Sequence, residues 1–173
     1  MTLRPALYAS LAHQGQKRKY TNEPYFNHLL EVATILKEHD MDGNIVSAGF
    51  LHDILEDTEI ESKELEFLFG KVICSYVLEV TDISKIDDGN REERKKIDCA
   101  HLAKASIGGK HIKLADLISN IKSITINDPQ FSTIFLQEAF LLLDVLDDKF
   151  INKDLYSKAI LAYHEGVRRI RGK

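Results

Sequence analysis

The chain has 173 residues, of which 44% are hydrophobic and 29% charged, enough for one globular domain with its own core. A net charge of −4 argues against nucleic-acid binding, and no apolar run approaches the roughly 20 residues of a membrane-spanning helix. Cys74 and Cys99 lack the spacing of a zinc knuckle or disulfide framework, and the N-terminus lacks a signal-peptide layout, so we expect a cytoplasmic, single-domain protein over residues 1–173.

The first two predicted helices are separated by a short basic loop. Residues 5–14 have an apolar stripe at helical spacing, and Pro5 suits the first turn of a helix. The loop contains Arg18 and Lys19, which could hold phosphate, although such runs are more often solvated. A second helix is predicted over residues 25–39, and it carries His28 on its apolar face.

The densest group of ionisable side chains lies at the end of a helix predicted over residues 43–55. This helix would deliver His52 and Asp53 at its C-terminal end, with Glu56 and Asp57 each four residues further on. Imidazole with carboxylate suits Mn, Fe or Zn, and a second carboxylate can take a proton from a bound water. Alone, a His-Asp pair is more often a polar helix end than a metal site.

The rest of the chain also has the helical period. Residues 72–80 are β-branched enough for a strand but have no second strand to pair with, so a buried helix is predicted. Gly108 and Gly109 are predicted to break the chain between two helices. The further predicted helices cover residues 63–69, 91 to about 105, 111–126, 130–147 and 152–171, the last with a basic end at Arg168, Arg169, Arg171 and Lys173. The predicted fold is therefore all-α.

The helix over residues 111–126 contains an unexpected acid. Asp116 lies between apolar neighbours, where an unpaired carboxylate is costly to bury. Lys113 and Asn120 lie on the same face at helical spacing. Either a bound cation or an ion pair with Lys113 would offset the cost.

Together, three predicted helices offer two imidazoles and two carboxylates to one cation, with room for water and substrate. The order of the motifs resembles the HD superfamily of metal-dependent phosphohydrolases. It resembles more closely the hydrolase domain of RelA/SpoT-type proteins, particularly the small alarmone hydrolases and the animal Mesh1 type. The matching blocks span about the first 125 residues, at positions 12–19, 23–28, 51–58, 69–70, 80–82, 93–95 and 112–116 with Asn120.

This resemblance implies an HD-domain bundle of about eight helices and one Mn²⁺ ion per chain. Its ligands would be His28, His52, Asp53 and Asp116. The resemblance further implies that Glu56 and Asp57 activate or position the attacking water, that Arg18 and Lys19 contact the nucleotide, and that Asn120 contacts its sugar. The implied reaction is hydrolysis of ppGpp or pppGpp to GDP or GTP and pyrophosphate.

The chain departs from the family pattern close to the site. Leu29 stands where Pro is common, and residues 117–120 read Leu-Ile-Ser-Asn in place of Arg-Leu-His-Asn. These changes bear on nucleotide specificity more than on metal binding. An HD hydrolase for ppApp or for the 2′-phosphate of NADPH remains an alternative, as does a regulatory domain that binds nucleotide without turnover. Formation of a homo-oligomer is left open.

Overall fold

The computed structural model describes residues 3–172, and the fold over these residues is all-α, as predicted. Parts of the expectations for the chain ends rest on Met1, Thr2 and Lys173, which lie outside the described residues. A 3₁₀ helix covers Ile86–Asp88. The α-helices are α1 (Leu3–Ala12), α2 (Phe26–Glu38), α3 (Gly43–Leu51), α4 (Ile54–Asp57), α5 (Ser62–Phe69), α6 (Lys71–Val80), α7 (Arg91–Leu102), α8 (Ile107–Asn127), α9 (Pro129–Leu146) and α10 (Lys153–Arg171).

Helix α8 is the centre of the bundle. It packs against α2, α3, α6, α9 and α10, and most of its residues are buried. A helix surrounded in this way presents apolar side chains on several faces, which explains why its sequence has only a weak amphipathic stripe. Polar side chains on such a helix are therefore held in place by the whole bundle. Among the residues described, no helix is both long and apolar enough to cross a membrane.

The prediction that Gly108 and Gly109 break the chain is wrong. Both lie in the first turn of α8, where Ser106 caps the helix by accepting a hydrogen bond from the Gly109 N–H. A Cβ on Gly108 would lie 2.5 Å from Cε1 of Tyr76, and one on Gly109 would lie 2.5 Å from Oε2 of Glu79. The glycines therefore let α8 approach α6 closely.

The helix predicted over residues 43–55 is interrupted. Helix α3 ends at Leu51, His52 and Asp53 form a turn, and α4 begins at Ile54. Consecutive positions of an unbroken helix are about 100° apart, so two adjacent side chains face different directions. In the turn, His52 (φ −60°, ψ −33°) and Asp53 (φ −94°, ψ −1°) keep right-handed helical backbone angles, and their side chains approach each other from adjacent positions.

Leu29 and Leu30 form a matched pair for testing how much the core contributes to stability. Leu29 is 0% exposed, whereas Leu30, its neighbour on α2, is 45% exposed. We expect Leu29→Ala to lower the free energy of unfolding by about 2–5 kcal/mol, because it removes buried methyl groups and leaves a cavity. Leu30→Ala is expected to change it by about 0.5 kcal/mol. Urea unfolding followed by circular dichroism measures both, and equal losses would contradict the described packing of α2.

Candidate metal centre

Donor atoms of His28, His52 and Asp53 lie within 4.8 Å of one another, and Asp116 lies beside the two imidazoles. His28 comes from α2, His52 and Asp53 from the turn after α3, and Asp116 from α8. Oδ2 of Asp53 lies 3.0 Å from Nε2 of His52 and 3.5 Å from Nε2 of His28. Oδ1 of Asp116 lies 3.6 Å and 3.3 Å from the same two nitrogens. The structure thus brings together the four predicted ligands.

The donor atoms fit a cation better than they fit one another. Nε2 of His52 is buried and has no hydrogen-bond partner, although a carboxylate oxygen lies only 3.0 Å away. The distance is short enough for a hydrogen bond, but the angles are not those of one. Ligands at right angles around a cation about 2.1 Å away are separated by about 3 Å, close to the spacing seen here. The mixture of imidazole and carboxylate suits a divalent transition metal.

The two imidazoles and two carboxylates also attract one another by charge. Burial opposes ionisation of His52, but Asp53 and Asp116 outweigh it and raise the pKa of His52 well above its usual value. The pKa of His28 is raised for the same reason. Burial likewise favours the neutral acids, yet the two imidazoles hold the pKa of Asp53 well below its ordinary range. Protons therefore compete with a divalent cation for this site.

The two oxygens of Asp116 have different partners. Oδ1 faces the imidazoles and accepts a hydrogen bond from Nδ2 of Asn120 at 2.6 Å. Oδ2 lies 3.2 Å from Nζ of Lys113. Burial favours the neutral acid, but Lys113, together with the imidazoles, holds the pKa of Asp116 well below its ordinary value. The two explanations offered for this buried acid, a cation and an ion pair, are therefore compatible.

Tyr25, the residue before α2, contacts one of the proposed ligands. Its hydroxyl donates a hydrogen bond to Oδ2 of Asp53 at 2.7 Å. Its ring stacks on His13, which in turn contacts Oε1 of Gln16 through Nδ1. Periodicity alone could not reveal this role, because a tyrosine with a buried ring and a bonded hydroxyl fits the same pattern as a simple core residue.

Glu56 and Asp57 lie on α4, directly after the turn that carries two ligands. Oε1 of Glu56 accepts a hydrogen bond from the backbone N–H of Asp82 at 2.9 Å. Surrounding protein atoms raise the pKa of Glu56 to about 7, although one side of the residue is open to water. Burial and the nearby Asp53 also raise the pKa of Asp57. Glu56 is thus suited to accept a proton near neutral pH.

Two cavities flank the donor cluster. The larger, of about 860 Å³, lies between α7 and α9 and is bordered by Asp116 and Asn120. The smaller, of about 310 Å³, is lined by Arg18, His28 and Ser119, among others. Ligand-binding clefts commonly have volumes of about 300–1,000 Å³, so both are large enough to hold part of a nucleotide.

The three predicted substrate contacts are placed differently. Arg18 lines the smaller cavity, and Lys19 extends over the rings of Tyr20 and Phe131, with Nζ 5.0 Å and 5.8 Å from their centres. Asn120 borders the larger cavity while donating to Asp116. The structure therefore does not gather these side chains in one pocket, and Lys19 lines neither of the two cavities.

Comparison with known proteins agrees with this geometry. Residues 6–142 match the HD domain family. The guanosine-3′,5′-bis(diphosphate) 3′-pyrophosphohydrolase MESH1 of Drosophila melanogaster is 38% identical over 125 residues, which cover 70% of this chain and 68% of that protein. The bifunctional (p)ppGpp synthase/hydrolase SpoT of Escherichia coli K12 is 33% identical over 121 residues, but the match covers only 17% of its length.

A solved structure, described as a metazoan orthologue of SpoT that hydrolyses ppGpp, superimposes with a TM-score of 0.83 at 31% identity. The superposition covers 95% of this chain and 94% of that one, so the similarity includes α10 as well as the segment matched by the family. The chain therefore belongs to the HD domain family, as a relative of the MESH1 proteins.

Proposed function

We propose that this chain is a metal-dependent 3′-pyrophosphohydrolase that converts ppGpp or pppGpp to GDP or GTP and pyrophosphate. The observation that carries the proposal is the donor cluster of two imidazoles and two carboxylates, with Glu56 beside it. The names of the related proteins support the choice of substrate. We propose His28, His52, Asp53 and Asp116 as the ligands and Mn²⁺ as the ion.

When bound, such a cation supplies Lewis acidity that makes water a stronger acid and offsets negative charge on phosphate oxygens. In the proposed reaction, Glu56 accepts a proton from the attacking water, and Asp57 positions that water. Lys113 is suited to hold a phosphate oxygen, because burial disfavours its charge but the surrounding carboxylates keep the pKa of Lys113 above its ordinary value. The residue therefore stays a cation at neutral pH.

The proposed reaction is a simple hydrolysis. The water oxygen bonds to the phosphorus of the 3′-diphosphate nearest the sugar, and the bond from that phosphorus to the 3′ oxygen breaks. The released 3′ oxygen takes up a proton, and pyrophosphate leaves. We propose that Arg18 and Lys19 offset the charge of the nucleotide phosphates and that Asn120 contacts the sugar.

We propose further that residues 1–173 form one HD-type domain that acts in the cytoplasm, where guanine nucleotides are present. The hydrophobic core supports the single domain, since buried residues from α1 through α10 form one continuous cluster. The proposed partner is the small nucleotide substrate, and formation of a homo-oligomer is left open.

The decisive experiment measures pyrophosphate release by purified protein with Mn²⁺. Release from ppGpp, with little from ppApp and no phosphate from NADPH, is the expected result. Turnover of ppApp or NADPH alone would retain the mechanism and contradict the guanine assignment. Stoichiometric Mn²⁺ binding without turnover of any of the three would contradict catalysis and favour a nucleotide-binding module.

A further inference from the structure

A buried serine hydroxyl connects one of the proposed ligands to a carboxylate outside the donor cluster. Ser119, on α8, is 1% exposed. Its Oγ lies 2.9 Å from Nδ1 of His28 and donates a hydrogen bond to Oε2 of Glu31 at 2.7 Å. Nζ of Lys122 lies 3.5 Å from the other oxygen of Glu31. The chain of contacts thus runs from solvent, through Glu31 and Ser119, to the ring of His28.

The direction of these hydrogen bonds follows from counting protons. A serine hydroxyl has one proton, and an ionised carboxylate can only accept, so the Ser119 proton points to Glu31. The Ser119 oxygen must then accept from the N–H at Nδ1 of His28. A metal-binding imidazole is neutral and carries one proton, which the contact with Ser119 holds on Nδ1, so Nε2 would present its lone pair to the cation. That lone pair faces Asp53 and Asp116, where the cation would lie.

The second imidazole is fixed in a different way. Nδ1 of His52 contacts the backbone carbonyl of Gly49 at 2.9 Å. A carbonyl can only accept, so the backbone alone selects the same tautomer for His52. His28 has no such carbonyl partner at Nδ1 and depends on two side chains. The two imidazoles therefore differ in whether their orientation can be altered by substitution elsewhere.

We infer that Glu31 and Ser119 act as a positioning pair, which orients His28 and leaves its Nε2 free to bind the metal. Ser119 occupies a position where the chain departs from the family pattern, which commonly has an imidazole there. Hydrogen-bonded partners of metal ligands typically change metal affinity 10–100-fold when they are removed. The inference rests on the proposed function, because it requires that His28 bind a metal.

The test measures Mn²⁺ affinity directly, using the electron paramagnetic resonance signal of free Mn²⁺ in titrations of metal-free protein. We expect Ser119→Ala to weaken Mn²⁺ binding about 10-fold and Ser119→Thr, which keeps a hydroxyl, to recover most of the loss. Glu31→Ala should weaken binding as well, and the double variant should bind no more weakly than Ser119→Ala alone. This non-additivity is expected because both residues act through the same nitrogen.

Matched controls come from the same two helices. Ser123→Ala removes a hydroxyl one turn further along α8, and Glu38→Ala removes a carboxylate from α2 that instead contacts Lys158. Both should bind Mn²⁺ like the parent protein. A second readout is the dependence of pyrophosphate release on Mn²⁺ concentration, which should shift about 10-fold to higher concentration in Ser119→Ala, with kcat largely regained at saturation.

The outcomes separate the inference from the proposed function. Parent-like Mn²⁺ affinity in Ser119→Ala would overturn the positioning pair while leaving the metal site intact. A loss that Ser123→Ala shares, or one accompanied by unfolding of both Ser119 variants, would also overturn it. Absence of Mn²⁺ binding by the parent protein would overturn both proposals. Mn²⁺ binding without ppGpp hydrolysis would contradict the proposed function alone, because affinity still reports on the pair.

Discussion

Asp53→Ala is expected to abolish stoichiometric Mn²⁺ binding and to lower turnover of ppGpp at least about 1,000-fold. The loss corresponds to several kcal/mol of transition-state stabilisation, the contribution typical of a catalytic metal. Asp53 has three partners among the residues around the site. It contacts both imidazoles and accepts the hydroxyl proton of Tyr25 in a hydrogen bond. Its removal leaves two imidazoles with one carboxylate between them.

Metal content of the purified variant, measured by mass spectrometry after dialysis, and pyrophosphate release test this expectation. Asp87→Ala is the matched control, since Asp87 is an exposed acid outside the donor cluster. Circular dichroism establishes that both variants are folded. A folded Asp53→Ala protein that retained one Mn²⁺ per chain would exclude Asp53 as a ligand and would redirect the search to the remaining carboxylates.

Glu56→Gln is expected to keep the metal but to lower kcat about 10²–10⁴-fold, the usual contribution of a general base. Glutamine preserves the shape of the side chain and can still accept the hydrogen bond from Asp82, but it cannot take up a proton. The variant should therefore separate metal binding from catalysis. Glu59→Gln, a change at an exposed acid three residues further on, serves as the control. Unchanged kcat in Glu56→Gln would exclude the proposed base.

The turnover of the parent protein is expected to increase with pH. Partial desolvation by surrounding protein atoms raises the pKa of Glu56 to about 7, so that below this pH the carboxyl is protonated and cannot act as a base. Turnover by the parent protein should rise with pH and level off above the pKa. A bound cation favours the charged carboxylate, which places the rising limb at or below about pH 7. In Glu56→Gln this limb should be absent from the kcat profile measured at saturating Mn²⁺.

The sequence was sufficient to predict the fold class, and it named four residues that the structure places near one another. The helical period extends through the chain, and an acid such as Asp116 on a buried helix face indicates a partner before any coordinates are known. The break between α3 and α4 was not predicted, because residues 43–55 have no proline or internal glycine pair that would end a helix. The turn depends on tertiary contacts of His52 and Asp53.

Local patterns were also insufficient where two distant residues meet. Ser119 and Glu31 are 88 positions apart, and neither has a sequence signature of its own. At Gly108 and Gly109 a break was predicted where the helix continues. A glycine pair usually ends a helix, whereas here the pair allows Tyr76 and Glu79 of α6 to approach. In each case the deciding contact lies on another helix, and a single sequence does not reveal which helices are neighbours.

The different support of the two imidazoles has a consequence for how the site can evolve. A side-chain substitution cannot remove the carbonyl of Gly49 that orients His52, so that half of the site is robust to mutation. The half that contains His28 depends on Ser119 and Glu31. Substitution of these two residues leaves all four proposed metal ligands in the chain. Natural variation at these two positions could therefore adjust metal affinity in small steps, and match the enzyme to the metal supply of its cell while the chemistry stays constant.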